Sequence, residues 1–360
     1  MTLYTTTWPH KEPALPHSGE QQVIGGVATH FYATKASPWG SRLPHSPALL
    51  DAVAEHASEF DIVVTHSLWN PVATFAGRIL RKSNKKYCVM PHGMLDQIVL
   101  KRGNWKKSAW ALLWERRNVE QSALIIFNTQ TEKEKAHSCG WNLPQSMVMP
   151  HVIDLSAWKN LPPRREFDAM FPQVCGREVI LFVGRINWVK NIGKLIESLA
   201  IVRHIRPAAA LVCVGPSDNG HRAELERKVQ ELKLGDSVMF TGMLTGEQLK
   251  AAYARGAMLA LVSQKENFGL VVAEALASGL PVVVSTGVDL SSEWPSTGPV
   301  RRVTPTTENI AAAILDLLEK TDGQKARDDE ARKLAEKEWG SSRVEKLLSA
   351  YSTILSEEYQ

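Results

Sequence analysis

The stretch SQKENFGLVVAEALASGLPVVVS, residues 263–285, reads as a strand end, a loop, a short helix and the start of another strand. The helix opens near Leu270 and closes at Gly279, where glycine suits a left-handed C-terminal turn, and Pro281 begins the next strand. A strand–loop–helix order aims the backbone N–H groups of Phe268, Gly269 and Leu270 into a crevice at the strand ends, a geometry that suits a diphosphate. Glycine at 269 lets an anion approach the backbone closely. Glu274 stands among Val271, Val272, Ala273, Ala275 and Leu276. A buried, unpaired carboxylate there is costly, so it either faces solvent or takes hydrogen bonds from something in the crevice. With Glu266 upstream in the loop, ligand binding is the preferred reading.

A second stretch, ILFVGRINWVKN at 180–191, repeats the pattern: a strand, a loop opening at Gly184, then a helix. Arg185 and Lys190 sit in that loop, where both can reach the same crevice. Two cations beside a helix N-terminus stabilise a leaving diphosphate; either one alone would read as an ordinary solvated loop charge.

Working outward, short apolar runs alternate with helical patterns. Residues 62–65, 86–90 and 123–128 read as strands in the first half, with helices at 71–82 and 105–121. In the second half the strands are 179–183, 210–214, 238–240, 258–262 and 281–284, and the helices 191–206, 221–233, 247–255 and 270–278. This alternation predicts an α/β chain with parallel sheets covered on both faces. Ile192, Leu195, Ile196, Leu199 and Val202 form one apolar stripe, with Asn191 placed to cap the helix and Pro207 just beyond it. Residues 155–177 carry Pro162, Pro163 and Pro172 without clear periodicity, which places the domain junction near Pro150 to Cys175. The expected domains are 1–152 and 153–338, with 339–360 a helix that packs back on the first.

Of the 360 residues, 44% are hydrophobic and 22% charged, an ordinary globular mixture. A net charge of +4 does not argue for nucleic acid. Cys88, Cys139, Cys175 and Cys213 are too far apart in sequence to suggest a zinc site or a disulfide framework, and reduced thiols fit a cytoplasmic setting. The N-terminal MTLYTTTWPHKEP lacks the apolar core of a signal peptide. His92, after a strand and before Gly93, and the weaker His66, also at a strand end, are the candidate groups of the first half. Either could be a structural hydrogen-bonding residue, but for His92 the preceding Pro91 favours the functional reading.

G-R-x(4)-K at 184–190 and E-N-F-G-L-V-x-x-E-A-x-A-x-G-x-P-V at 266–282, in this order, resemble the retaining family 4 glycosyltransferases. VCVGPSDNG at 212–220 and FTGMLTGEQL at 240–249 are similar to that family's intervening segments; in the first half the likeness is patchier, at THSLW (65–69), PHGML (91–95) and the Trp105–Asn118 stretch. The resemblance implies two Rossmann-like domains facing across a cleft, the GT-B type. It implies that Arg185 and Lys190 bind the donor diphosphate, that Glu266 binds hydroxyls of the donor sugar, and that Glu274 binds the nucleotide ribose. Asn267, Phe268, Gly269, Leu270 and Gly184 would line the donor site, with His92 near donor sugar and acceptor and His66 on the acceptor side. The implied activity is transfer of a hexose from a UDP- or GDP-linked sugar to a hydroxyl of a saccharide or lipid-linked saccharide, with retention, in cell-envelope or exopolysaccharide assembly. It implies no metal and no cofactor beyond that substrate, and no D-x-D motif is present.

His151 and Val152 stand where the family often has Asn and Gly. The family also begins with a strand, a glycine-rich loop and a helix ahead of the strand at 3–7, so an abbreviated N-terminal domain is expected, with Leu3–Thr7 left at an unpaired edge. Gly25-Gly26 does not replace that loop, because 27–32 reads as a strand. This departure keeps a second reading in play, a non-catalytic sugar-nucleotide-binding remnant. A different Rossmann enzyme is disfavoured, since neither G-x-G-x-x-G nor G-x-x-x-x-G-K-[ST] occurs. Finally, Lys101 to Arg117 mixes Lys101, Arg102, Lys106, Lys107, Arg116 and Arg117 with Trp105, Trp110 and Trp114. It reads either as a core helix with a solvated basic face or as a peripheral contact with the inner face of the plasma membrane.

Overall fold

A computed structural model of the chain describes residues 1–7, 19–35, 45–96, 109–217, 220–294, 296–319 and 324–356. It divides into two compact units, Met1–Met149 with Lys346–Gln360, and Pro150–Glu345.

In the first unit, β1 (Thr2–Thr7), β2 (Gln21–Ile24) and β3 (Val27–Ala33) form a sheet in the order β1-β3-β2. The β2–β3 connection is the Gly25-Gly26 pair, with φ of 56° and 81°. Two successive positive φ values make the tight hairpin turn that glycine permits, which is why this pair joins strands instead of opening a helix. After α1 (Pro47–His56) comes a second, all-parallel sheet: β4 (Val63–His66), α2 (Pro71–Lys82), β5 (Tyr87–Met90), α3 (Arg116–Glu120), β6 (Leu124–Phe127), α4 (Gln130–His137) and β7 (Ser146–Val148). Among the described residues, β1 bonds only β3 and β4 bonds only β5. Tyr4 and Tyr32 of the first sheet pack on the same apolar cluster as Leu80, Val89, Ile125 and Phe127. On another cluster of this unit, around Cys88, Ile126 and Met149, lie Leu347, Ala350, Tyr351 and Ile354.

The second unit is one six-stranded parallel sheet. Its elements run α5 (Arg164–Met170), β8 (Glu178–Val183), α6 (Ile192–Ile205), β9 (Ala209–Val214), α7 (His221–Glu231), β10 (Val238–Gly242), α8 (Gly246–Arg255), β11 (Met258–Leu261), α9 (Leu270–Ala277), β12 (Val282–Ser285), β13 (Val300–Val303), α10 (Thr307–Glu319) and α11 (Gln324–Trp339). A last helix, α12, covers Ser342–Ser356. The strand order is β10-β9-β8-β11-β12-β13. Counted within the unit this is 3-2-1-4-5-6, the order of the doubly wound nucleotide-binding fold. The strands are nearly all apolar because both sheet faces are covered. Ile192, Leu195, Ile196, Leu199 and Val202 are buried as the stripe requires. Removing one, as in Leu199→Ala, costs about 2–5 kcal/mol.

Asn191 does not cap that helix. It sits in the left-handed region at φ 58° with no side-chain cap bond, and its Nδ2 donates instead to the Val262 carbonyl at 3.3 Å. The capping role moves upstream: Asn187 Oδ1 accepts from the Lys190 amide, closing a short 3₁₀ turn at Trp188–Lys190. The residue therefore ties two loops together, a use its helix-start position did not disclose.

Candidate functional site

Sequential connections leave β8 toward β9 and β10 on one side, and leave β11 toward β12 and β13 on the other. Between β8 and β11 the winding reverses, and in doubly wound sheets the C-terminal strand ends at such a point are where ligands bind. The two motif loops leave those strand ends. They are stitched to each other by three bonds. The Gln264 amide donates to the Val189 carbonyl at 2.8 Å, Asn191 reaches Val262 as above, and Lys190 Nζ donates to Glu266 Oε2 in a close ion pair. Both partners of that pair are half-buried, so the pair is screened less than a surface salt bridge.

Each loop is fixed from behind. The Gly184 amide donates to Val214 at 2.9 Å and the Ile186 amide to Pro216 at 2.8 Å. The loop after β9 comes so close that a Cβ on Gly215, whose φ is +142°, would stand 2.0 Å from the Gly184 carbonyl oxygen. Arg185 follows Gly184 and is exposed. On the other side the Glu266 amide donates to Gly287 and the Asp289 amide to the Glu266 carbonyl, both at 2.8 Å. Phe268 is buried with His151 edge-on at 4.9 Å, Asn267 is half-buried and Leu270 exposed. Gly269, at φ 72°, precedes α9 with no side chain capping the helix start. The N-terminal amides of α9 thus open next to Glu266 and Lys190, in the placement expected for an anion.

Glu274 neither faces open solvent nor depends on a ligand alone for a partner. Tyr253, fully buried on α8, donates its hydroxyl to Glu274 Oε2 at 2.6 Å. Burial pushes the Glu274 carboxyl above its usual range, and the Tyr253 bond offsets part of that rise. The Tyr253 hydroxyl is itself raised well above its ordinary value, by burial and then by the adjacent carboxylate. Sequence reasoning missed Tyr253, which lies 21 positions from its partner.

In the first unit, His66 ends β4, His92 lies two residues past the end of the adjacent β5, and the two meet. Their rings stack with centroids 5.3 Å apart, and His66 Nδ1 lies 3.0 Å from His92 Nε2. His66 keeps much of its surface open, yet surrounding protein desolvates the ring and holds its pKa below the usual histidine value. His92 takes a left-handed backbone, φ 51°, and its Nδ1 lies 3.1 Å from Asn128 Nδ2. Buried Glu132 braces both neighbours, accepting from the Gly93 amide at 2.5 Å and the Asn128 amide at 2.7 Å. Thr129 caps α4 by accepting from the Glu132 amide. The T-x-x-E spacing of that cap was legible in the sequence, but the diversion of the glutamate to the His92 loop was not.

Among the described residues no group of three or more His, Cys, Asp or Glu is placed to hold a metal ion. Among them, too, no helix is long and apolar enough to cross a membrane. Of the basic, Trp-rich stretch, Lys101, Arg102, Trp105, Lys106 and Lys107 lie outside the described residues. Trp110 and Trp114 pack edge-on with each other and with Phe75, while Leu112 and Leu113 are exposed.

Residues 164–334 match the family model described as Glycosyl transferases group 1, and residues 1–157 match Glycosyltransferase Family 4. A D-inositol 3-phosphate glycosyltransferase of Kineococcus radiotolerans is 27% identical over 261 residues, covering 68% of this chain and 59% of that protein. A sulfoquinovosyl transferase of Arabidopsis thaliana is 37% identical over 276 residues, covering 72% of this chain and 51% of that one. The matched part thus spans only about half to three fifths of these relatives' lengths. Among solved structures, Anabaena Alr3699/HepE in complex with UDP and glucose superposes with TM-score 0.73 at 18% identity, over 91% of this chain and 86% of that one. Sucrose-phosphate synthase from Thermosynechococcus elongatus gives 0.74 at 20% identity, over 99% and 89%. At such identities the likeness speaks for the fold.

Proposed function

The chain belongs to the group 1, family 4 glycosyltransferases, with the α/β GT-B fold of two Rossmann-like units, and from that premise we propose that it transfers a hexose from a nucleoside-diphosphate sugar to an acceptor hydroxyl with retention of anomeric configuration. The observation that carries the proposal is the convergence of the 184–190 and 266–270 loops at the switch point of the second unit, joined by Lys190 and Glu266. Structural neighbours that hold UDP and UDP-glucose support a nucleotide donor.

In this reading the diphosphate lies against the amides that open α9, with Arg185 and Lys190 supplying the positive charge that a metal supplies elsewhere. Glu266 accepts hydrogen bonds from the sugar hydroxyls, exchanging part of its pairing with Lys190 for them. Glu274 accepts from the ribose diol. The C1–O bond to phosphate breaks, the acceptor oxygen bonds C1 on the same face, and its proton passes to the departing phosphate. The protein contributes position and charge stabilisation. His92, with His66 behind it, is assigned to the sugar and acceptor side. The acceptor we favour is a saccharide or lipid-linked saccharide of envelope or exopolysaccharide assembly, met by a cytoplasmic enzyme at the inner membrane face.

The test is incubation with UDP- and GDP-hexoses and saccharide acceptors, with the product's anomeric configuration read by NMR and the rate compared with and without EDTA. A retained configuration and an EDTA-insensitive rate are expected. Inversion or complete loss in EDTA would overturn those parts of the proposal, and failure to bind or turn over any donor would overturn the whole.

A further inference from the structure

We propose that Tyr253 is a positioning residue for nucleotide binding: its buried hydroxyl fixes the Glu274 carboxylate so that the other carboxylate oxygen is presented to the ribose diol. The inference rests on the assignment of Glu274 to the ribose.

The geometry is specific. Tyr253 is on α8 and Glu274 on α9, and the hydroxyl meets Oε2 at 2.6 Å, the length of a charge-assisted bond. The tyrosine ring is fully buried and braced by Trp158, edge-on with centroids 5.0 Å apart. A tyrosine has few rotatable bonds, so a packed ring delivers its hydroxyl to one place with little further loss of entropy. A free glutamate side chain has three torsions to fix when it grips a diol; a glutamate already held by one oxygen has fewer. The same bond favours the ionised carboxylate, which accepts from both ribose hydroxyls, over the protonated acid, which does not.

Among the described residues, burial and the Tyr253 bond are what shift the Glu274 carboxyl, and no charged side chain adds to them. Of the elements packed on α9, β11 and β12 carry no charged residue, and neither does the turn Leu155–Trp158. Arg332 of α11 reaches instead to the Ser278 carbonyl beyond the far end of the helix. On α8, Arg255 is engaged with Asp168 and the Val174 carbonyl. Tyr253 is therefore the group that counters desolvation of Glu274.

The sign of the pH effect follows. Burial raises the Glu274 pKa and the Tyr253 bond lowers it. Removing the bond raises it further, so binding that needs the carboxylate must fail at a higher pH. The experiment titrates UDP and GDP by calorimetry into the wild type, Tyr253→Phe and Glu274→Gln from pH 5.5 to 8.5, with thermal unfolding of each protein recorded without nucleotide. Tyr253→Phe is expected to bind about tenfold more weakly at neutral pH, a loss the size of one modest hydrogen bond. Its affinity should also fall away at a higher pH than that of the wild type, while Glu274→Gln is weak and flat across the range. A second variant, 3,5-difluorotyrosine at 253, keeps the ring and strengthens donation, so the pH at which affinity fails should move down.

If Glu274→Gln is weak while Tyr253→Phe matches the wild type in affinity and pH profile, the positioning role is wrong and the site assignment stands. If Glu274→Gln binds as well as the wild type, or the wild type binds neither nucleotide, the site assignment itself fails. Should Tyr253→Phe unfold, the fluorinated variant decides: an unmoved pH profile refutes the inference.

Discussion

Gly215→Ala would remove no functional atom, yet it should damage the site more than its size suggests. A Cβ there would stand 2.0 Å from the Gly184 carbonyl oxygen and 2.8 Å from its carbonyl carbon, both backbone atoms that no side-chain rotation can clear. The Gly184 carbonyl must retreat by about 1 Å, and Arg185 moves with it. Gly215 also has φ +142°, a conformation that costs a residue with a side chain about 1–3 kcal/mol. Together these put the loss near 2–4 kcal/mol, which for a unit of this length lowers the melting midpoint by about 5–15 °C. Gly176 supplies the control. Its φ is +72° with nothing within 4 Å of a built Cβ, so Gly176→Ala carries backbone strain alone, about 1 kcal/mol. Scanning calorimetry and UDP titration of both variants measure the difference. Displacing Arg185 by about 1 Å should also cut donor turnover by about 10²-fold. A Gly215→Ala protein that melts within a few degrees of Gly176→Ala and turns donor over normally would refute the claim that this contact sets the loop.

Glu274→Gln should weaken UDP or GDP binding about tenfold without shifting the melting curve, because a neutral amide oxygen accepts from a diol more weakly than a carboxylate oxygen does; unchanged affinity would remove Glu274 from the site. A separate prediction concerns the first unit. Glu115 is buried in a π-helical turn, Ala111–Glu115, and burial lifts its pKa to about 7 against the bonds it accepts from Thr74, Trp110 and the Trp69 backbone. In the unfolded chain it ionises near its ordinary value, so between pH 4.5 and about 7 the folded state holds the extra proton. Stability from this group therefore falls as pH rises through that window, by about 3 kcal/mol in all, and levels off above it. Glu115→Gln should abolish that slope in urea unfolding at pH 5, 6, 7 and 8; a slope equal to the wild type would contradict the assignment.

Much of the second unit was legible because its strands are fully covered and so read as unbroken apolar runs. The 179–183 and 258–262 runs lie within a residue of β8 and β11, and the Ile192–Val202 stripe identified α6. Legible too were the two loops, since glycine at 184 and 269 marks where backbone must turn. The strand β13 escaped because Val300-Arg301-Arg302-Val303 lies at the sheet edge, where charged residues are tolerated. The hairpin strand β2 exposes Val23 and Ile24 and has no polar alternation to betray a buried face. The pairing of His66 with His92 had a signal that was not used: the parallel strands end together, with His66 opposite Met90, so a histidine two residues past Met90 lies within reach of His66. The Tyr253–Glu274 and Glu132–Gly93 bonds had none, because they depend on how helices settle on the sheet and not on spacing along the chain.

The central claim is that Arg185 and Lys190 receive the negative charge that grows on the departing diphosphate. Its most direct test is the turnover number at saturating donor for Arg185→Ala and Lys190→Ala, with melting curves recorded alongside because Lys190→Ala leaves Glu266 without its ion-pair partner. Loss of one such contact should raise the barrier by about 3 kcal/mol, and so slow kcat by about 10²-fold, while Arg185→Ala melts as the wild type does. Rates equal to the wild type in both variants would contradict the account.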